Sequence, residues 1–90
     1  MEVKYQICYI EEVVRKHIPN LSSSMRKTIM HAIESRLMLD PIRFGKPLQY
    51  SLKGHRRLRV GDYRIVYRIE EDAPTVIVIA IKHRKDIYNS

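Results

Sequence analysis

The order of apolar and polar residues predicts a strand followed by a helix at the start of the chain. Over residues 3–9 apolar and polar side chains alternate, which is the pattern of a strand with one buried face. Over residues 10–17 the apolar positions Ile10, Val13 and Val14 recur at helical spacing. Pro19 then ends this helix, because a proline ring clashes with the preceding helical turn.

A second helix is predicted after three serines. Ser22, Ser23 and Ser24 offer side-chain oxygens that can cap its N-terminus. Its apolar stripe consists of Met25, Ile29, Ala32, Ile33 and Leu37. The helix should run to about Leu39 and stop before Asp40-Pro41, since a residue before proline disfavours helical backbone angles. Only a few residues join the two helices, which predicts a helical hairpin.

Three strands are predicted after a loop over residues 41–50. They cover residues 50–60, 63–70 and 75–82, and short connections make them antiparallel neighbours. The third is apolar on both faces and should therefore be central, with the N-terminal strand on its far side. The order β-α-α-β-β-β predicts an α+β fold. We expect one domain over residues 1–90, with a two-helix hairpin on one face of a small, mainly antiparallel four-stranded sheet.

The charge of the chain narrows its possible partners. The formal net charge is +7 and the pI is about 9.8, which favours nucleic acid, an acidic protein or an anionic membrane surface. Residues 43–68 hold eight Lys or Arg side chains against one acid, Asp62. These cations are interleaved with apolar residues, so the segment can fold. A folded face with so many fixed cations favours a polyphosphate chain as its partner.

Alternation along the strands predicts where the cations point. If the side of Tyr63, Ile65 and Tyr67 meets the helices, four arginines share the open face of the sheet: Arg57, Arg59, Arg64 and Arg68. Arg56 points the other way. The tail adds Lys82, His83, Arg84, Lys85 and Tyr88. Tyr63 and Tyr67 are expected in the core.

The sequence does not predict a membrane-spanning helix, a signal peptide or a metal site. No apolar run approaches the ~18 residues of a spanning helix, and residues 1–7 lack the features of a signal peptide. The single cysteine, Cys8, is interpreted as a buried apolar residue in a cytoplasmic protein. The four histidines and Cys8 show no metal-ligand spacing, so we expect neither metal nor cofactor. His17 and His31 are interpreted as ordinary helix residues.

Three motifs resemble a known family. They are Leu52-Lys53-Gly54, then Arg-Val-Gly-Asp-Tyr-Arg-Ile-Val-Tyr-Arg-Ile over residues 59–69, then Ile-Lys-His-Arg-Lys-Asp-Ile-Tyr over residues 81–88. Together they resemble the RelE branch of the RelE/ParE toxin superfamily, over nearly the whole chain. The resemblance implies the toxin of a type II toxin–antitoxin pair. Such a toxin enters the ribosomal A site and cleaves messenger RNA by attack of the RNA's own 2′-hydroxyl, leaving a 2′,3′-cyclic phosphate, without a metal.

The same resemblance implies residue roles and partners. The basic catalytic positions of the family fall on Arg57, Arg64 and Arg84, and its C-terminal tyrosine on Tyr88. A lysine of the best-known members is replaced here by His55. The expected partners are a cognate acidic antitoxin, the ribosome and messenger RNA, with no membrane. Operator DNA would be bound only through the antitoxin complex, since no DNA-reading helix is identified in this chain.

The chemistry of each side chain indicates a more specific role for these residues. Arginine binds two phosphate oxygens and stays charged at working pH, so Arg64 is expected to hold the scissile phosphate. Arg57 and Arg84 would share this task or orient the RNA backbone. His83 and His55 are candidates for proton transfer, and Tyr88 for base stacking or hydroxyl chemistry. The wider RNA-binding set is Lys53, His55, Arg59, Arg68, Lys82 and Lys85.

Other interpretations remain open. A ParE-like gyrase inhibitor shares the same fold and often the arginine of the central strand. A module that binds nucleic acid or antitoxin without catalysis would also be basic. Arg64 and Arg68 can be surface cations, or pair with Glu70 and Glu71. For Arg64 a functional role is favoured, because it faces other cations rather than acids.

Overall fold

A five-stranded sheet forms the base of the molecule. The computed structural model describes residues 4–49 and 54–85. The strands are β1 (Gln6–Tyr9), β2 (Lys46–Pro47), β3 (Arg56–Val60), β4 (Tyr63–Glu70) and β5 (Thr75–His83), in the spatial order β1-β5-β4-β3-β2. β1 runs parallel to β5, and the other neighbours are antiparallel. The α+β fold and the interior place of β5 are confirmed, whereas β2 makes five strands instead of the four predicted.

The predicted helical hairpin is present, with two π-helical turns that the sequence pattern did not predict. α1 (Val13–His17) is π-helical, and α2 (Ser23–Ala32) continues into a π-helical segment, Ile33–Leu37. The Oγ atom of Ser22 accepts a hydrogen bond from the backbone of Met25 at 3.2 Å and caps α2. No helix in the described residues is long and apolar enough to cross a membrane.

A short third helix, α3 (Pro41–Phe44), stands where the sequence analysis expected a loop. The Oδ1 atom of Asp40 accepts a hydrogen bond from the backbone N–H of Arg43 at 3.1 Å. Pro41 occupies the first turn, where its missing N–H costs nothing and its fixed φ suits a helix. The Asp-Pro pair was interpreted only as the end of α2, although it is also a start signal for the next helix.

The hydrophobic core lies between the helices and one face of the sheet. Its buried members include four of the five residues of the predicted helix stripe, Met25 being only partly buried, and the inward residues of β3, β4 and β5: Ile29, Ala32, Ile33, Leu37, Leu58, Val60, Ile65, Tyr67, Val76, Val78 and Ile81. The Tyr67 hydroxyl donates a hydrogen bond to the carbonyl of Pro41. Arg56 donates to the carbonyls of Ile42 and Gly45, at 2.6 and 3.1 Å. These bonds fix α3 and the following turn against the sheet.

β5 contains an irregularity that changes which residues face the core. Val66 pairs with Ala80, whereas the next residue of β4, Tyr67, pairs with Val78, so Ile79 is an extra residue in β5. Such a bulge interrupts strict alternation. As a result Val78 and Ile81 both point into the core although they are three residues apart.

His17 has a structural role that the sequence analysis missed. It is buried, and its Nδ1 atom accepts a hydrogen bond from the backbone N–H of Ile81 at 3.1 Å. β1 pairs with β5 only as far as Val78, so His17 satisfies a backbone donor beyond the end of β1. Burial lowers the pKa of His17, and the positive charge of Lys82 lowers it further.

Stability should therefore fall in mildly acidic solution. The pKa of His17 is below its ordinary value in the folded state, so the unfolded chain binds the proton more readily. The stabilisation is complete above about pH 6.5 and is lost as pH falls through the folded pKa. Urea unfolding at pH 7.5 and 5.5 should show this loss in the wild type and in His31→Gln, and a smaller loss in His17→Asn. An equal pH dependence in all three proteins would contradict it.

Candidate functional site

Three cations stand in a row across the open face of the sheet. Arg59 in β3 lies directly opposite Arg64 in β4, and Arg64 lies directly opposite Lys82 in β5. Directly paired residues of neighbouring strands project to the same face, and like charges in this arrangement oppose folding. This cation row is thus a feature that an anionic ligand would stabilise.

The row ends in a cleft that also holds the tail arginine. Arg59, Arg64 and Arg84 line a cavity of about 160 Å³ together with residues 61–63. Gly61 has a φ of 59° in the turn between β3 and β4, a backbone conformation that favours glycine. The backbone N–H of Arg84 donates to the carbonyl of Asp62 at 2.7 Å. This bond joins the turn to the end of β5 and brings Arg84 beside Arg64. We call this cavity the arginine cleft.

The side chains that line the arginine cleft carry a net positive charge. Its lining has three guanidinium groups and one carboxylate, that of Asp62. Arg84 Nη1 and Asp62 Oδ1 are 3.9 Å apart, and both side chains are more than half exposed, so this pair contributes little. In residues 4–49 and 54–85 no group of three His, Cys, Asp or Glu side chains is placed to hold a metal ion. Because three guanidinium groups line it against one carboxylate, the cleft is suited to a phosphate group, which arginine can bind through two oxygens.

Arg57 lies on the same face but in a neighbouring cavity. It pairs with Val66 of β4 and with Lys46 of β2. Its cavity, of about 220 Å³, is lined by Arg36, Phe44, Lys46, Arg57, Leu58 and Arg59. We call it the Phe44 cleft. Arg59 lines both cavities. Of the proposed catalytic arginines, Arg64 and Arg84 line the arginine cleft, whereas Arg57 lines the Phe44 cleft, to which the helical layer contributes Arg36.

His83 does not line the arginine cleft. It pairs with Tyr63, which faces the helices, and the two rings meet edge to face with centroids 5.1 Å apart. Its Nδ1 atom accepts a hydrogen bond from the backbone of Lys85 at 3.1 Å. Since Lys82 faces the open side, the next residue must face the helices. His83 shares a cavity with His17 and is separated from Arg64 by the sheet.

The remaining predicted residues have different surroundings. His55 lines a fourth cavity, with Arg56, Ile69 and Glu71 among its neighbours. Arg68 forms an ion pair with Glu70 at 2.9 Å, which is one of the alternatives that the sequence left open. Lys85 is exposed. Lys53 and Tyr88 lie outside the described residues.

Phe44 and Arg36 line the Phe44 cleft, although neither is among the residues predicted for the site. Phe44 is the only phenylalanine of the chain and lies between Arg43 and Lys46, separated from the latter by one glycine. An exposed aromatic side chain among cations is a signal for a stacking platform. Phe44 is absent from the predicted site because residues 41–50 are predicted to form a loop, to which no function is assigned.

Comparison with known proteins places the chain in a family. The family model for the ParE toxin of type II toxin–antitoxin systems, parDE, matches residues 10–88. The chain is a toxin of the RelE/ParE superfamily. Toxin RelG of Mycobacterium tuberculosis is 34% identical to this toxin over 74 residues, which cover 82% of this chain and 85% of RelG. Toxin RelE of the same organism is 30% identical over 79 residues, 88% of this chain and 81% of that toxin.

Solved structures agree with this toxin in fold. The RelBE2 toxin–antitoxin complex of M. tuberculosis contains a chain with a TM-score of 0.85 and 29% identity, covering 91% of this toxin and 93% of that chain. The isolated E. coli RelE toxin has a TM-score of 0.72 at 20% identity, covering 94% and 92%. At that identity the second likeness concerns the fold alone.

Proposed function

We propose that this toxin cleaves messenger RNA in the ribosomal A site and so stops translation. The observation that carries the proposal is the arginine cleft, in which Arg59, Arg64 and Arg84 surround a space of phosphate size with one carboxylate among them. The motifs shared with the RelE branch and the similarity to a RelE toxin support the same activity. The toxin would then act in the cytoplasm, where ribosomes translate.

The reaction needs little from the protein beyond position and charge. The 2′-hydroxyl of the messenger gives up its proton as its oxygen attacks the adjacent phosphorus, the bond from phosphorus to the 5′-oxygen breaks, and the 5′-oxygen takes up a proton. A 2′,3′-cyclic phosphate and a 5′-hydroxyl result. Negative charge grows on the phosphoryl oxygens in between, where fixed cations stabilise it most. Arg64 projects from the middle of the sheet and therefore holds the scissile phosphate, with Arg84 on the same group from the side of the turn.

The other residues take supporting roles in this proposal. Arg57 and Lys82 flank the arginine cleft and hold neighbouring phosphates. Neither His83 nor His55 lines the cleft, so we assign proton transfer to Tyr88, whose hydroxyl can both donate and accept a hydrogen bond. The 2′-hydroxyl and the phosphate must be held in line for attack, a task that we assign to the ribosome.

The proposed regulator is an acidic antitoxin. The structurally similar M. tuberculosis chain was determined in a toxin–antitoxin complex, and the basic surface here suits an acidic, partly disordered partner. Covering Arg57 and Arg64 would block access of RNA. Any binding to operator DNA is assigned to that complex.

A two-armed assay tests the proposal. The purified toxin is added to a reconstituted translation system with a defined messenger, and in parallel to a gyrase supercoiling reaction. Codon-phased cuts with unchanged supercoiling are expected. Intact messenger with blocked supercoiling would instead support the ParE-like alternative. Salt-dependent RNA binding without effect in either arm would identify a non-catalytic binding module.

A further inference from the structure

We propose that the Phe44 cleft binds the nucleotide adjacent to the cleaved phosphodiester, with its base stacked on the ring of Phe44. This inference rests on the proposed function and extends it with a second subsite on the path of the RNA. The chemical class of ligand is a single-stranded ribonucleotide, recognised by one aromatic face and several cations.

Phe44 is an exposed aromatic residue at the end of a fixed element. It is the last residue of α3 and 45% of its surface is exposed. The backbone around it is held by the Asp40 cap and by the two hydrogen bonds from Arg56 to the carbonyls of Ile42 and Gly45. A ring in this position can receive a base without rearrangement of its support, which lowers the entropic cost of binding.

The charges around Phe44 favour RNA over an apolar protein surface. Arg36, Lys46, Arg57 and Arg59 line the cleft, and no carboxylate lines it. Within the described ranges, the ion pairs involve none of these four cations. An apolar helix laid on the cleft would remove them from water without partners, at considerable cost. A nucleotide supplies both a ring for Phe44 and a phosphate for the cations.

The two clefts share a lining residue and are close enough for one RNA strand to enter both. Arg59 lines both. From Arg64 in β4 to Lys46 in β2 there are two strand spacings, roughly 10 Å. Adjacent nucleotides of a single strand can bridge that separation. The scissile phosphate in the arginine cleft would thus place the neighbouring base over Phe44.

Stacking on Phe44 would strengthen binding without reading the base. Every base offers a flat face, so stacking is tolerant of sequence. Codon preference would then arise elsewhere, and the Phe44 cleft would act on affinity and on alignment of the phosphate with Arg64.

Binding of an uncleavable RNA tests the cleft apart from catalysis. The probe is a fluorescent hexanucleotide with 2′-O-methyl groups and one 5-iodouridine, measured by anisotropy at low salt. Phe44→Leu should weaken its binding by about 5- to 150-fold, the range found for loss of one stacked base. Phe44→Tyr should bind like the wild type. Val14→Ala alters another exposed apolar residue, in α1, and should change nothing. Ultraviolet irradiation should link the iodouridine to Phe44.

The outcomes separate this inference from the proposed function. Equal binding by Phe44→Leu and wild type, or cross-links only to other residues, would overturn the inference. So would a Phe44→Leu protein that loses its antitoxin but keeps its RNA. Binding that depends on Phe44, together with intact messenger on translating ribosomes, would support the cleft and overturn the nuclease proposal. Cleavage that needs Arg64 but not Phe44, with probe binding unchanged in Phe44→Leu, would support the nuclease proposal and overturn the proposed role of the Phe44 cleft.

Discussion

Replacing Arg64 by alanine should slow messenger cleavage by about 10²- to 10³-fold, the usual effect of removing one group that stabilises charge in a transition state. The fold should survive, because Arg64 stands opposite Arg59 and Lys82, and removing one of three like charges relieves repulsion. The measurement is the initial cleavage rate in the reconstituted translation system, with circular dichroism as the check on folding.

The matched control is Arg68→Ala. Arg68 lies on the same strand and the same face as Arg64 and forms an ion pair with Glu70. This variant loses the same formal charge, so an effect of net charge alone would appear in both proteins. We expect the Arg68→Ala rate to stay within a few-fold of wild type. Comparable loss in the two variants would mean that Arg64 has no special place in the reaction.

Gly45→Ala should destabilise the protein by about 3 kcal/mol or more, near the upper end for inserting a methyl group into a packed site. A Cβ atom at this position would lie 1.7 Å from the Tyr67 hydroxyl oxygen, 2.7 Å from Tyr67 Cζ and 3.1 Å from the Arg57 carbonyl. Tyr67 is fully buried and its hydroxyl is bonded to the carbonyl of Pro41, so it has nowhere to move. Urea unfolding measures the free energy of unfolding.

A double-mutant cycle with Tyr67→Phe tests the cause. Tyr67→Phe alone should cost about 1 to 3 kcal/mol, because the Pro41 carbonyl loses its donor. Combined with Gly45→Ala it should cost less than the sum of the two, since the nearest clashing atom is then absent. Additive effects, or a Gly45→Ala protein as stable as wild type, would show that the turn before β2 is not closely packed on Tyr67.

The sequence predicted the arginine face well because alternation holds along β3 and β4. Leu58, Val60 and Ile65 are buried, and once they face the helices, Arg59 and Arg64 must face outward. Alternation does not extend to the tail, where His83 and Arg84 stand next to each other in one basic segment. His83 turns toward the helices beside Tyr63, and the extra residue at Ile79 prevents its direction from being inferred from the start of β5.

Other parts of the site depend on contacts between distant segments. The meeting of Arg84 with the Gly61-Asp62 turn is fixed by a backbone hydrogen bond that no local pattern encodes. The same is true of His17, whose partner Ile81 is 64 residues away in sequence. α3, in contrast, could have been predicted from local sequence. Asp40 and Pro41 form a recognised helix-start signal, but the pair was interpreted only as the end of the preceding helix.

In the proposed reaction a fixed group of arginines holds a phosphodiester while the RNA's own 2′-hydroxyl attacks it. The most direct measurement uses two messengers that differ only in one 2′-O-methyl group, placed on the nucleotide just before a mapped cut. On translating ribosomes the wild-type toxin should cut the unmodified messenger there, leaving a 2′,3′-cyclic phosphate, and should leave the methylated bond intact. Cleavage of the methylated bond at an equal rate would contradict the account.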